Sequence, residues 1–388
     1  MAKLKLKKYT DYIVSSASAL LAVDSPSGYT DNAARWVMDE FAKLGYEPKQ
    51  TIKGGVLVKL SNGPNDAEKP AREALSASEG HAEGNVGPFP DSWGGADCEN
   101  GAEAPKGGLL LEAHCDTLGG MVKEVKANGR LAVTPLGGME ANNAEAENVR
   151  VVTKFSGVLE GTCQLINASV HVNGKYHDTV RKWDEMEIVL DEDVKTKEDT
   201  EKLGVGVGDI ICFEPRTRVT KSGYIKSRFL DDKLSVAILL GYAKYLKESG
   251  AKTAREVWAH VTVYEEVGHG GSASVPAGVT EALSVDMGCV GDGLTCTERQ
   301  VSICAKDSGG PYSYEIVKGL IEAAKKTGAD YAVDIYPFYG SDVEATLRAG
   351  YDLKHGLIGA GVYASHGYER SHRDGAENTL RLIIGYTI

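Results

Sequence analysis

The feature that most constrains this chain is a set of short apolar runs that each end in histidine or acid. Residues 108–113, leucine-rich, read as a buried strand and lead straight into His114-Cys115-Asp116. Residues 257–264 form a β-rich run that leads into Glu265-Glu266-Val267-Gly268-His269, and residues 282–285 lead into Asp286-Met287-Gly288. Helical spacing appears between them over 234–246 and after them over 314–325. Earlier, a helix is expected through Trp36, Val37, Phe41 and Leu44, with Thr30 and Asp31 as N-cap candidates and Gly45 just past its end. Residues 56–60 read as a further strand. Strands alternating with helices imply an α/β fold, a parallel or mixed sheet with helices on both faces.

From about 121 to 225 the texture changes. Short β-rich segments at 149–152, 164–166 and 186–190 are separated by Gly, Asn and Asp turns, with 206–211 read as the penultimate hairpin region. This predicts a small all-β domain, a barrel or sandwich, inserted into the α/β domain formed by 1–120 and 226–388. Residues 62–107 are rich in Gly, Ala, Glu, Asn and Pro, lack apolar periodicity, and read as a long polar insertion on the surface.

The 388 residues carry 43 Lys and Arg against 55 Asp and Glu, a net charge of -12. That balance disfavours nucleic acid and anionic membranes, which reward basic surfaces. No apolar run approaches the roughly 18 residues of a membrane span, and no apolar signal core follows the basic start. The 7 cysteines are odd in number, scattered and without a Cys-x-x-Cys pair. A disulfide framework or zinc ribbon is not expected, and the compartment reads as reducing and cytoplasmic.

In open α/β sheets, ligands sit beyond the carboxyl ends of the strands. The expected strand ends deliver His114, Asp116, Glu265, Glu266 and Asp286 there, and Asp231-Asp232 opens the helix at 234–246. A late loop adds His366 and His372. Each piece alone has a plain explanation: an N-cap, a solvated acid or a structural histidine. Together they are a natural ligand set for two divalent ions sharing one carboxylate, because crowded carboxylates repel unless cations neutralise them. Such a site needs a base that is not a ligand. Of the adjacent Glu265 and Glu266, one can point at the ions and the other can hold the water. Asp116 is placed to accept the ring N–H of His114. Cys115 reads as a small packed residue.

These residues resemble metallopeptidase family forty-two, the glutamyl and tetrahedral (TET) co-catalytic aminopeptidases. The matching elements are Ser25-Pro26-Ser27-Gly28, Ala113-His114-Cys115-Asp116, Leu230-Asp231-Asp232-Lys233, Glu265-Glu266-Val267-Gly268, Val285-Asp286-Met287-Gly288, Gly340-Ser341-Asp342 and His366. The resemblance implies a phosphorylase/hydrolase-like mixed-sheet domain with an inserted β-barrel. It implies one ion on His114, Asp231 and Asp286 and a second on Asp231, Glu266 and His366, with Asp231 bridging. Glu265 would be the general base, Asp116 would orient His114, and Asp232 would orient Asp231 through a cis peptide. Zinc would be the usual ion, with cobalt or manganese as alternatives, and a homo-oligomer is implied.

The chain departs from the family pattern at Thr117-Leu118, at His269, around His366 and in the insertion at 62–107. Around His366 the departure leaves His372 as the fallback ligand. Two readings are open for His269, Tyr368, Arg370 and His372: contact with substrate, or bracing of loops. Two activities are open as well. One is a metal-dependent aminopeptidase acting on peptides. The other is a related amidohydrolase or deacylase acting on N-acyl amino acids or modified small peptides.

Overall fold

The computed structural model of the chain describes residues 5–63 and 107–388. The polar insertion expected at 62–107 lies almost wholly outside the described residues. The fold is mixed α/β with a closed β-barrel set into it.

The sheet is organised around three parallel strands. Gly108–His114 is buried over its whole length, as its unbroken apolar run requires for a strand covered on both faces. Glu256–Thr262 lies parallel on one side of it and Val279–Val285 parallel on the other. Lys354–Tyr363 continues the parallel order beyond Val279–Val285. Antiparallel strands then close the margins: Val56–Asn62 on Glu256–Thr262, and Val301–Lys306 on Lys354–Tyr363. Register matters here. Thr262 is opposite His114, and Ser284 is opposite Glu112, so the three central strands end together.

Helices cover both faces. Leu230–Ser249 is buried along most of its length and packs on the Gly108–His114 strand, on Lys7–Leu21 and on Arg373–Thr387. An all-round apolar helix needs such a sandwich. The helix Asp31–Lys43 begins and ends where expected, with Thr30 at its N-cap position and Gly45 left-handed past its end. The Thr30 side chain makes no capping bond, so charge at Asp31 rather than a hydroxyl serves that terminus.

Between Gly119 and Phe213 six antiparallel strands close a barrel, in the order Gly119–Val125, Leu131–Leu136, Met186–Leu190, Val158–Leu165, Glu147–Val152 and Ile210–Phe213. The region read as a penultimate hairpin is instead the closing strand, because Ile210–Phe213 pairs with both Gly119–Val125 and Glu147–Val152. Closure removes the unpaired edges that an open sheet of this size would leave. Among the described residues no helix is long and apolar enough to cross a membrane.

The long helix generates a stability prediction. Leu239 is fully buried in it. Leu239→Ala is expected to lower unfolding free energy in denaturant by about 2–5 kcal/mol, and a loss below about 1 kcal/mol would contradict its central place in the core.

Candidate metal centre

The ends of the central strands converge on one patch. His114 ends its strand, Asp286 follows Val285, and Glu265-Glu266 follow a short turn after Thr262. Asp231 and Asp232 open the long helix but have non-helical backbone angles, and the peptide between them is cis. Three residues with left-handed φ adjoin these groups: Phe229 at 69°, Tyr264 at 68° and His366 at 60°. For non-glycine residues that conformation costs about 1–3 kcal/mol each and persists where packing enforces it.

The side chains close on one another. His114 Nε2 is 3.1 Å from Asp231 Oδ1 and 3.5 Å from Glu265 Oε2. His366 Nε2 is 3.7 Å from both Asp231 Oδ2 and Glu266 Oε2. The two oxygens of Asp231 thus face two different imidazoles. Donor atoms of His114, Asp231 and Glu266 lie within 4.8 Å of one another, as do those of His114, Asp232 and Asp286. Asp232 therefore does more than orient Asp231. Its Oδ2 accepts from the His114 backbone N–H at 3.2 Å, and its Oδ1 is buried without a partner.

The imidazole tautomers follow from their other contacts. His114 Nδ1 is 3.0 Å from the Asp116 carbonyl, and His366 Nδ1 is 3.1 Å from the Gly138 carbonyl. A carbonyl only accepts, so both rings carry their proton on Nδ1. Each Nε2 then turns toward carboxylate oxygens. A neutral ring would set a lone pair against anionic oxygen there, which is repulsive unless a cation stands between them. Glu266 Oε1 is a second buried oxygen without a partner. Two imidazoles, a shared carboxylate and orphaned acid oxygens fit divalent cations bound by nitrogen and oxygen.

The titration behaviour has the same cause. Burial, and then the surrounding acids, push Asp232, Glu265 and Glu266 well above the usual carboxylate range. Burial and the charge of Asp231 push Asp286 up to about 7. For His114 burial works downward, but the Glu265, Asp116 and Asp231 carboxylates outweigh it and hold the ring well above its ordinary value. Burial works upward on Asp231, yet its bond from His114 and the charges of His114 and His366 leave it lowered. Without metal, the cluster holds protons where cations fit.

Asp116 acts differently from the expectation. It is the Asp116 carbonyl, not its carboxylate, that meets the His114 ring, and the carboxylate stands 3.6 Å from Nδ1. That carboxylate instead accepts from the Glu265 and Glu266 backbone N–H groups at 3.1 and 3.3 Å and from the Ser27 hydroxyl at 2.5 Å. It fixes the turn that carries both glutamates. Two further acids have no role in the sequence reading, although Asp342 stands in the matching Gly340-Ser341-Asp342 element. Glu369 is buried and accepts from the backbone N–H of Asp231 at 3.1 Å and of His366 at 3.3 Å. Asp342 is buried and accepts from Gly271 N–H at 2.6 Å and from the Thr262 hydroxyl.

The remaining expected residues brace loops. His269 stacks on Tyr264 with ring centres 5.0 Å apart. The Tyr368 hydroxyl donates to the Arg216 carbonyl at 2.9 Å, beneath the Arg216 guanidinium. Arg370 pairs with Glu298 at 3.0 Å and lies over the Tyr224 ring, which favours the bracing reading over contact with substrate. His372 is no fallback ligand: its Nδ1 accepts from Asp374 N–H and caps the last helix, while Nε2 donates to the Ser222 carbonyl. Cys115 is fully buried, and burial pushes its thiol up to about 12, which fits a packed residue. Asp231, Glu265, Glu266, Asp286 and His366 instead line a cavity of about 780 Å³, with Met287, Tyr339 and Arg348 on its walls.

A pH dependence follows. The Asp286 and Asp342 carboxyls titrate near 7 in the metal-free fold against 3.8 as the ordinary value. The folded state then binds more protons than the unfolded chain between those values, so this part of the stability is present at low pH and is lost as pH rises through the window. A cation on Asp286 would displace the proton held there, whereas Asp342 lies outside the proposed ligand set. The gain in melting temperature on adding a divalent ion to chelator-treated protein is therefore expected to grow from about pH 4 to about pH 7. A gain independent of pH would contradict the proton-loaded cluster.

Comparison with known proteins gives a consistent result. The sequence profile described as M42 glutamyl aminopeptidase matches residues 98–382. The candidate aminopeptidase YhfE of Bacillus subtilis (strain 168) is 44% identical over 277 residues, 71% of this chain and 80% of that protein. Among solved structures, the dodecameric PhTET1 superposes with a TM-score of 0.74 at 20% identity, covering 96% of this chain and 98% of its own. An aminopeptidase from the archaeon Desulfurococcus kamchatkensis superposes with a TM-score of 0.77, also at 20% identity, covering 97% of this chain and 95% of its own. At that identity the superpositions speak for the fold, whereas the profile match and the Bacillus relative speak for descent: the chain belongs to the M42 glutamyl aminopeptidase family.

Proposed function

We propose that this chain is a metal-dependent aminopeptidase that removes N-terminal residues from peptides. The observation that carries the reading is the position of Asp231 between two imidazoles, each held by a carbonyl on its far nitrogen so that Nε2 faces the carboxylates. In this reading His114, Asp231 and Asp286 hold one ion and Asp231, Glu266 and His366 hold the other. The mixture of imidazole and carboxylate suits zinc best, with cobalt or manganese as alternatives. When bound, the ions supply Lewis acidity that polarises the scissile carbonyl and acidifies the attacking water.

The chain's own groups do the rest. Glu265 is the general base: it takes the proton from the attacking water and returns it to the leaving amine. It belongs to the same turn as Glu266, and Asp116 holds both backbones, so base and ligand keep a fixed relation. In the metal-free fold burial raises the proton affinity of Glu265, and the charge of bound cations would favour the carboxylate form that a base requires. The acid-rich cavity, with Glu140 on its wall, favours a cationic α-amine over an acylated one. That consideration, with the aminopeptidase relatives, ranks the peptidase reading above the deacylase.

We further take residues 1–120 and 226–388 as the catalytic domain and 121–225 as an inserted domain. A homo-oligomer is the proposed state, since related TET structures are described as a dodecamer and as a tetrahedron or large octahedral shell. A cytoplasmic location fits the free thiols of the described cysteines.

The test uses chelator-stripped protein reloaded with zinc, cobalt or manganese, assayed on free-amine peptides beside their N-acylated counterparts. Metal is expected to restore hydrolysis of the free-amine set alone. Glu265→Gln is expected to lower kcat about 10²–10⁴-fold with metal content unchanged. Turnover confined to acylated substrates would make the protein a deacylase, and activity that survives chelation would overturn the metal mechanism.

A further inference from the structure

The ligand groups are held by different parts of the fold. His114, Asp232 and Asp286 are tied to the sheet and the long helix: His114 N–H donates to Asp232 Oδ2 at 3.2 Å, and Asp286 N–H donates to the Ile358 carbonyl at 3.0 Å. His366 is held from the barrel side. Its ring nitrogen Nδ1 donates to Gly138 O at 3.1 Å, and its own carbonyl accepts from Asn143 Nδ2 at 3.1 Å. Gly138 and Asn143 belong to the stretch that follows barrel strand Leu131–Leu136.

That stretch is fitted closely to the site. Gly137 has φ of 74°, and a Cβ there would meet Leu118 Cδ2 at 2.5 Å and Glu266 Cβ at 3.3 Å. A Cβ on Gly138 would meet His366 Nδ1 at 2.8 Å. Only glycines let the barrel backbone approach both Glu266 and His366 so closely. The stretch is anchored in turn to the barrel core, because Trp183 Nε1 donates to the Met139 carbonyl at 2.9 Å and its ring packs edge-on against Phe213. A continuous path runs from Phe213 through Trp183, Met139 and Gly138 to the His366 ring.

We infer that Gly138 and Asn143 of the barrel are positioning residues for His366, so that the ion site of Asp231, Glu266 and His366 depends on the seating of the barrel while the other site does not. The mechanism is orientational. The Gly138 carbonyl selects the tautomer that offers Nε2, and the Asn143 amide holds a backbone whose φ of 60° is unfavourable for histidine. The inference rests on the ligand assignment proposed above.

The test is metal titration of the full-length protein with cobalt, read by calorimetry and by the visible absorption of bound cobalt. Wild-type protein is expected to show two binding events. Asn143→Ala and Gly138→Ala are expected to weaken one event about 10–100-fold and leave the other unchanged. Gly138→Ala also intrudes on the ring, so Asn143→Ala, which removes one half-buried amide without adding bulk, guards against a folding defect; its melting temperature without metal is expected to match wild type. Two unaltered events in both variants would overturn the inference while leaving the ligand assignment standing, as would equal weakening of both events. A single event in the wild-type protein would overturn the ligand assignment, and the inference with it.

Discussion

A buried cluster of carboxylates that faces two imidazole nitrogens and needs positive charge to balance it is the constraint on which the rest depends. Asp231, Asp232, Glu265, Glu266 and Asp286 crowd one sheet edge, and burial denies them water. Isolated ionised carboxylates in such surroundings cost several kcal/mol each. Protons or metal ions must supply the missing positive charge. The carbonyls of Asp116 and Gly138 bias the outcome toward metal, since they occupy the far nitrogen of each ring and leave the near one as a donor of electrons.

The architecture makes that crowding possible. Three parallel strands in register bring His114, the Glu265-Glu266 turn and Asp286 to a common level, and the long helix delivers Asp231 from below. A second layer of acids then works on backbone rather than on metal. Asp116 holds the two glutamate amides, Glu369 joins the Asp231 and His366 amides, and Asp342 ties Gly271 to Thr262. Buried acids that accept two or three hydrogen bonds rigidify the turns that carry the ligands, and three left-handed residues beside those turns show the packing that enforces them.

Much of this was legible in the sequence. The apolar run at 108–113 and its neighbours at 257–264 and 282–285 announce strands, and the acids and histidine that follow them announce a strand-end site. The β-rich middle announces an inserted all-β domain, and the family resemblance makes it a barrel rather than a sandwich. What stayed hidden depends on geometry rather than on residue type. Asp116 was rightly singled out for its spacing from His114, but only coordinates show that its carbonyl meets the ring while its carboxylate turns to the next loop. Glu369 sits in a polar string, Tyr368-Glu369-Arg370-Ser371-His372, where a solvated acid is the natural reading and a buried one is not. Within the same string His372 serves as a helix cap and Arg370 as the partner of Glu298, because the nearby helix start and Tyr224 come together only in the fold. The approach of Gly137 to Glu266 and of Gly138 to His366 is likewise invisible, since glycines in a hairpin-rich region read as turns.

The most direct measurement of the central claim is anomalous diffraction from crystals of the zinc-loaded protein, with data on both sides of the absorption edge. Two peaks are expected, one among His114, Asp231 and Asp286 and one among Asp231, Glu266 and His366, with Glu265 bound to neither. Zinc located away from these side chains, or a peak coordinated by Glu265, would contradict the account.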